Sequence, residues 1–185
     1  QDLSHYLYYV TWTNDVQVGS TDDEWEGWDG TTKEMSRTEL DTHANMSVVG
    51  SECYVISDTR KMAKVFPYRP DYESKEIPIV HAAVQYDCPY TGTAYVLVIR
   101  NALHVPEMRN NLIPPFILRE TGIEVCNTPK IHKLDPRVQD HLIHFVETGF
   151  RIPLQLWGVF SYFNTSKPST KMMIECEEIY LLTPK

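Results

Sequence analysis

The sequence predicts a mainly β fold, on three observations. Two long runs rich in β-branched and aromatic residues, IPIVHAAVQYD and TAYVLVIRNALHV, flank the five residues Cys88-Pro89-Tyr90-Thr91-Gly92. Shorter runs of the same kind recur between Gly, Ser, Asp and Pro on either side of that pair. Helix signals converge on one place only, NNLIPPFILRETG, where Pro114 and Pro115 suit a helix entry and Gly122 suits its end.

Taken in order, HYLYYVTW near the start is aromatic and β-branched enough for a strand that pairs at an edge. Residues 14–37 follow as an exposed lead-in, rich in acids, Gly and Thr and without sustained periodicity. From Thr38 the runs TELD, NMSVVG and ECYVIS read as strands. The two long runs form a β-hairpin over 77–100, because Pro89 presets φ for a turn and Gly92 can leave it with positive φ. A short helix over about 115–121 comes next. The tail carries further strand-like runs, HLIHFVE, FRIPLQLWGVFSYF and IECEEIYLLT.

With 185 residues the chain can bury an ordinary core as one domain with appendages. Charge is concentrated at one end. Residues 1–40 hold nine acids against Lys33 and Arg37, a net of −7 out of −8 for the whole chain. No basic stripe exists to hold a phosphate backbone, so nucleic-acid binding is not expected. No apolar run is long enough for a spanning helix and no basic signal-peptide start is present, so no membrane partner is expected. Cys53, Cys88, Cys126 and Cys176 lack zinc-ligand spacing and suit reduced thiols of an intracellular, cytoplasmic protein. The glycosylation triplets at Asn45 and Asn164 are expected to stay unmodified.

The candidate chemistry lies in ELDTHANMSVVG. An aspartic peptidase needs two carboxylates that share a proton, each on a rigid loop after a strand. Asp41 follows the strand, the Thr42 hydroxyl can fix the loop, and Ala44 lets the backbone stay close. The bland alternative is that Asp-Thr is ordinary turn or cap chemistry. No metal or cofactor is expected: in a strand, His141 and His144 face opposite sides and cannot chelate one ion. No Gly-x-Ser-x-Gly occurs and no cysteine has an activating context, which argues against a serine or cysteine nucleophile. The run Trp157, Phe160, Tyr162 and Phe163 reads as core or subunit interface in preference to a ligand site.

On ELDTHANMSVVG and TGTAYVLVIRNALHVPEMRNNLIPPFILRETGIEV, the sequence resembles the protease domain of copia-type retrotransposon polyproteins, a relative of retropepsins. The matching positions are Ala102, Leu103, Val105, Pro106, Asn111, Leu112, Ile113, Leu118 and Gly122, and the match covers about residues 38–125. Over nearly its whole length the chain also resembles a branch of these elements, in protist genomes, that writes Asp-Ser-His-Ala at the active loop.

The resemblance implies a retropepsin-like closed β-barrel or sandwich over 38–125, preceded by the acidic lead-in 1–37. A β-rich extension over 126–185 would pack on it. It implies an aspartic endopeptidase that cuts extended segments of its own polyprotein. Only one motif of the required kind is present, so an active enzyme would be a homodimer contributing Asp41 twice. Thr42, His43 and Ala44 would support the loop, and Leu112, Ile113 and Pro114 would be the apolar core motif. The 77–100 hairpin would serve as flap, with Pro89, Tyr90, Thr91 and Gly92 at its tip. His43 and Pro114 stand where the family usually has glycine, a residue used where the backbone turns tightly or meets another backbone. The competing expectation is a catalytically silent domain of this fold that serves self-association or assembly.

Overall fold

The computed structural model describes residues 36–65, 73–127, 134, 137 and 140–185. The expected N-terminal strand HYLYYVTW and most of the lead-in lie outside these residues. The described chain is mainly β, as expected. Its elements are β1 (Ser36–Leu40), β2 (Val48–Val49), β3 (Tyr54–Val65), β4 (Lys75–Asp87), β5 (Ala94–His104), β6 (Asn111–Ile113), α1 (Pro115–Glu120) and β7 (Ile123–Asn127). They continue as β8 (His141–Phe145), β9 (Phe150–Pro153), β10 (Gln155–Trp157), β11 (Phe160–Thr165), α2 (Thr170–Glu175) and β12 (Ile179–Leu181).

Nine strands form one sheet in the order β10-β11-β1-β6-β2-β5-β4-β3, with β12 added alongside β5. The second sheet is β7-β8-β9. The central hairpin forms as the sequence predicts: β4 and β5 run antiparallel from Asp87↔Ala94 back to Ile79↔Leu103. Its turn closes with the Gly92 N–H donating to the Cys88 carbonyl at 2.9 Å, and Gly92 takes φ +71. Helix α1 also forms as expected. Pro115 opens it, and Gly122, at φ +88, follows its end and suits a residue without a Cβ.

Three expectations need correction. The lead-in does not extend to residue 37, because Ser36 and Arg37 already belong to β1, paired with Thr165 and Asn164. The boundary at 125/126 falls inside β7, and the later strands β10, β11 and β12 are members of the main sheet. The helix around 115–121 is also not alone. In IECEEIYLLT only Ile179–Leu181 is strand, while Ile174 and Glu175 end α2. The signal for α2 lies just upstream, where the Ser169 hydroxyl accepts the Met172 N–H at 3.1 Å and caps the first turn.

Two apolar clusters lie on the main sheet. The larger unites Leu40, Leu97, Ile113, Leu118 and Phe163 with Ile143 and Ile152 of the second sheet. Aromatic rings join the two sheets: Tyr95 stacks on Phe150 at 4.1 Å, and Phe150 meets Tyr180 at 4.7 Å. Phe163 fills the middle of this layer, 2% exposed, with its edge toward Tyr86 at 6.0 Å. Phe163→Ala is therefore expected to cost about 3–5 kcal/mol, lost contacts plus cavity. A lower urea midpoint with an unchanged slope would record it, whereas an unmoved midpoint would contradict this packing. The smaller cluster gathers Ala44, Val48, Ala63, Val65, Ile79, Leu103, Met108 and Leu112. Among the described residues, no helix is long and apolar enough to cross a membrane.

Candidate active site

Strand β1, SRTEL, is polar in sequence and yet buried at every position. That is possible because it is an inner strand: β11 pairs with it antiparallel on one side and β6 parallel on the other. The hydroxyls on one face bond within the sheet. Ser36 Oγ donates to the Thr165 carbonyl at 3.2 Å, and Thr38 Oγ1 lies 2.9 Å from Thr165 Oγ1. Asn111, with no exposed surface, ties the neighbouring strands together. Its Oδ1 accepts the Gly50 N–H at 2.9 Å, and its Nδ2 donates to Thr38 Oγ1 at 3.4 Å.

Strand alternation places Arg37, Glu39 and Asp41 on the other face. Arg37 packs its guanidinium 4.0 Å from the Trp157 ring centre and 5.1 Å from that of Tyr162. Its Nε lies 2.9 Å from Glu39 Oε1, near enough for an ion pair although the N–H is not aligned for a hydrogen bond. The aromatic run of the sequence thus contributes Phe163 to the core, as expected. Trp157 and Tyr162 instead form a lid over the arginine, a use that the run alone does not reveal.

Asp41 begins the loop after β1. Its N–H donates to the Ile113 carbonyl at 3.1 Å, so the parallel partner β6 fixes where the loop starts. The carboxylate is 3% exposed. One oxygen, Oδ1, accepts the His43 N–H at 2.9 Å; Oδ2 is buried with no hydrogen-bond partner among the described residues. Buried polar atoms are almost always satisfied, so this oxygen is unusual, and it shares that condition with Glu39 Oε2, Arg37 Nε, Ser47 Oγ and Ser166 Oγ. Thr42 and His43 are exposed, with Thr42 Oγ1 3.3 Å from His43 Nδ1. His43 Nδ1 stands 3.9 Å from Asp41 Oδ1. Ala44 turns back inward, its N–H donating to the Asp41 carbonyl at 3.4 Å. The stretch is therefore a tight turn fastened to the carboxylate by its own backbone.

Leu112 and Ile113 lie in β6 on opposite faces, Leu112 in the smaller cluster and Ile113 in the larger. Pro114 is buried, with φ −66 and ψ 131, and leads into α1; a proline fits that backbone without strain. The structure thus brings Asp41, Thr42, His43, Ala44, Leu112, Ile113 and Pro114 together. It does not bring Pro89, Tyr90, Thr91 and Gly92 to them. That turn follows Gln85, which bridges Ser166 beside the Ser36 end of β1, and four strand steps of about 3.3 Å separate Ser36 from Leu40. Pro89 and Tyr90 border a different groove, of about 270 Å³, with His141, Leu154 and Asn164. The hairpin near the Asp41 loop is β3–β4, whose Ala63, Val65, Ile77 and Ile79 pack with Ala44.

Glu39 was not singled out by its sequence, since an acid two residues before an Asp-Thr pair is unremarkable there. Its side chain is 1% exposed and Oε2 has no hydrogen-bond partner among the described residues. Burial raises its carboxyl above the ordinary range; Arg37 opposes this, and the neighbouring Asp41 adds to it. A carboxyl that holds its proton more tightly when folded gives stability that is full below the unfolded pKa. That stability is lost as pH rises through the interval above 4.5. Urea midpoints of Glu39→Gln, relative to wild type, are therefore expected to move in the variant's favour as pH rises through that interval. The opposite trend would mean that the Arg37 pairing outweighs the burial.

No set of three or more His, Cys, Asp or Glu side chains among the described residues is arranged to hold a metal ion. His141 Nε2 lies 2.8 Å from Ser161 Oγ and His144 Nδ1 2.9 Å from Glu124 Oε2, so the two histidines of β8 serve different partners. Compared with known proteins, the chain matches no family model, no curated protein and no solved structure.

Proposed function

We propose that this chain is a retropepsin-like aspartic endopeptidase, of the kind carried by copia-type polyproteins, that works as a homodimer. The observation that carries the proposal is Asp41 itself: a buried carboxylate on a strand-end loop, one oxygen bound by its own loop and the other without a partner among the described residues. Two such loops facing each other across a twofold axis would bring two carboxylates together, and they would share one proton. The ionised member takes a proton from water as the water attacks the scissile carbonyl, while the protonated member donates to the carbonyl oxygen. Thr42, exposed beside the carboxylate, is the residue available to brace one loop against the other.

The parallel β1–β6 pairing supports this assignment, because it fixes the start of the Asp41 loop against Ile113 by a backbone bond. The packing of Ala44 with β3 and β4 supports giving the peptide-covering role to that hairpin instead of to Pro89–Gly92. An extended segment of the parent polyprotein is the proposed substrate.

The competing proposal keeps the fold without the chemistry, as a domain for self-association. What favours it is His43, whose backbone N–H occupies Asp41 Oδ1 and whose ring is 76% exposed at the rim. Pepstatin-sensitive cleavage of an extended peptide at mildly acid pH, lost in Asp41→Asn, separates the two. A purified dimer that cuts no peptide across the acid range leaves only the silent domain.

A further inference from the structure

We propose that the groove between the start of β3, the end of β5 and the entry to α2 binds a small organic phosphomonoester. This groove, of about 740 Å³, is separate from the Asp41 loop and belongs to the size class of small-molecule sites. Its polar lining includes Tyr54, His104, Lys167 and Thr170. None of the Tyr54 hydroxyl, the His104 ring, the Lys167 ammonium and the Thr170 hydroxyl has a hydrogen bond or an ion pair among the described residues. Four polar side chains without a partner among the described residues, all able to donate and one of them a lysine, fit an acceptor-only anion.

Val55, Pro106 and Pro168 supply apolar wall, and the two proline rings hold their backbone stiffly. The space far exceeds one phosphate, which assigns the remainder to an organic body resting on that wall. Cys53 also lines the groove but carries no charge into it. Burial pushes its thiol up to about 11 against the pull of Lys167, and its Sγ donates to the Gly50 carbonyl at 3.3 Å. Glu52, between the lining residues Ser51 and Cys53, directs its Oε1 to the Ser51 hydroxyl at 3.3 Å.

Phenyl phosphate, titrated into the 15N-labelled full chain, is the test. The expected result is saturable movement of the amides of Ser51–Val55 and Lys167–Thr170. Binding should weaken by about ten-fold in Lys167→Met, an exposed position whose change leaves the fold intact. Inorganic phosphate should bind more weakly than phenyl phosphate, and benzyl alcohol more weakly still. The proposal is overturned if these amides do not move, or if Lys167→Met binds as tightly as wild type. It is equally overturned if either control ligand matches phenyl phosphate.

Discussion

Asparagine in place of Asp41 is expected to lower peptide hydrolysis by about 10²–10⁴-fold, the span over which a positioned acid–base group acts. The side chain keeps its size and keeps an oxygen for the His43 N–H, so the loop stays closed. On the proposed reaction, what disappears is the ability to accept a proton from water and to share it with a second copy. The folded state gives up little in exchange, because the lost charge sits 3% exposed with an oxygen that no described residue satisfies. Thermal unfolding of the variant should therefore be no lower than that of wild type. Paired activity and melting measurements read both halves. A variant that melts early would mean that the carboxylate is structural, and one that still cuts would remove Asp41 from the chemistry.

Asn111→Ala is expected to destabilise the chain by about 1–3 kcal/mol, the cost of one buried group left without its partner. The Gly50 N–H loses its contact to a fully buried amide, while the Thr38 hydroxyl keeps Thr165 Oγ1 at 2.9 Å. The Gly50 backbone has little room to shift in compensation. A Cβ at Gly50 would stand 2.8 Å from the Asn110 carbonyl oxygen and closer still to that of Met108, so the backbone there is already packed against backbone. Because Asn111 sits in β6, which fixes Asp41 through Ile113, activity should fall with stability even though Asn111 is remote from the carboxylate. Chemical denaturation and hydrolysis rates, compared with Asp41→Asn, would show a loss of both in one variant and of activity alone in the other.

Local chemistry made part of this fold legible. Alternating apolar residues with Pro89 and Gly92 between them gave the β4–β5 hairpin, and Pro115 and Gly122 bracketed α1. Strand β1 was harder to read, because Ser36 and Arg37 look solvated until Thr165 and Trp157 arrive from far along the chain to satisfy them. Pairing across such separations leaves no mark in either segment alone. In the same way, Asp41 and Ile113 could be proposed from their motifs. The Arg37–Glu39 pair beneath Trp157 and Tyr162 depends on β10 and β11, which no local spacing connects to β1. That β3 and β4 pack with Ala44 was likewise not legible from turn strength.

The position of β11 has a consequence for time as well as for space. Ser36 meets Thr165 across 129 residues, so the strand that leads to Asp41 gains its second neighbour only after that long stretch has been made. Contacts of that range are slow to form, since a long loop must be closed before they bring any return. A chain released or cut anywhere before Phe160 would leave β1 with one bare edge and the Arg37–Glu39 pair without its aromatic cover. The carboxylate at Asp41 would be made long before β11, and its setting would be complete only when that strand arrives.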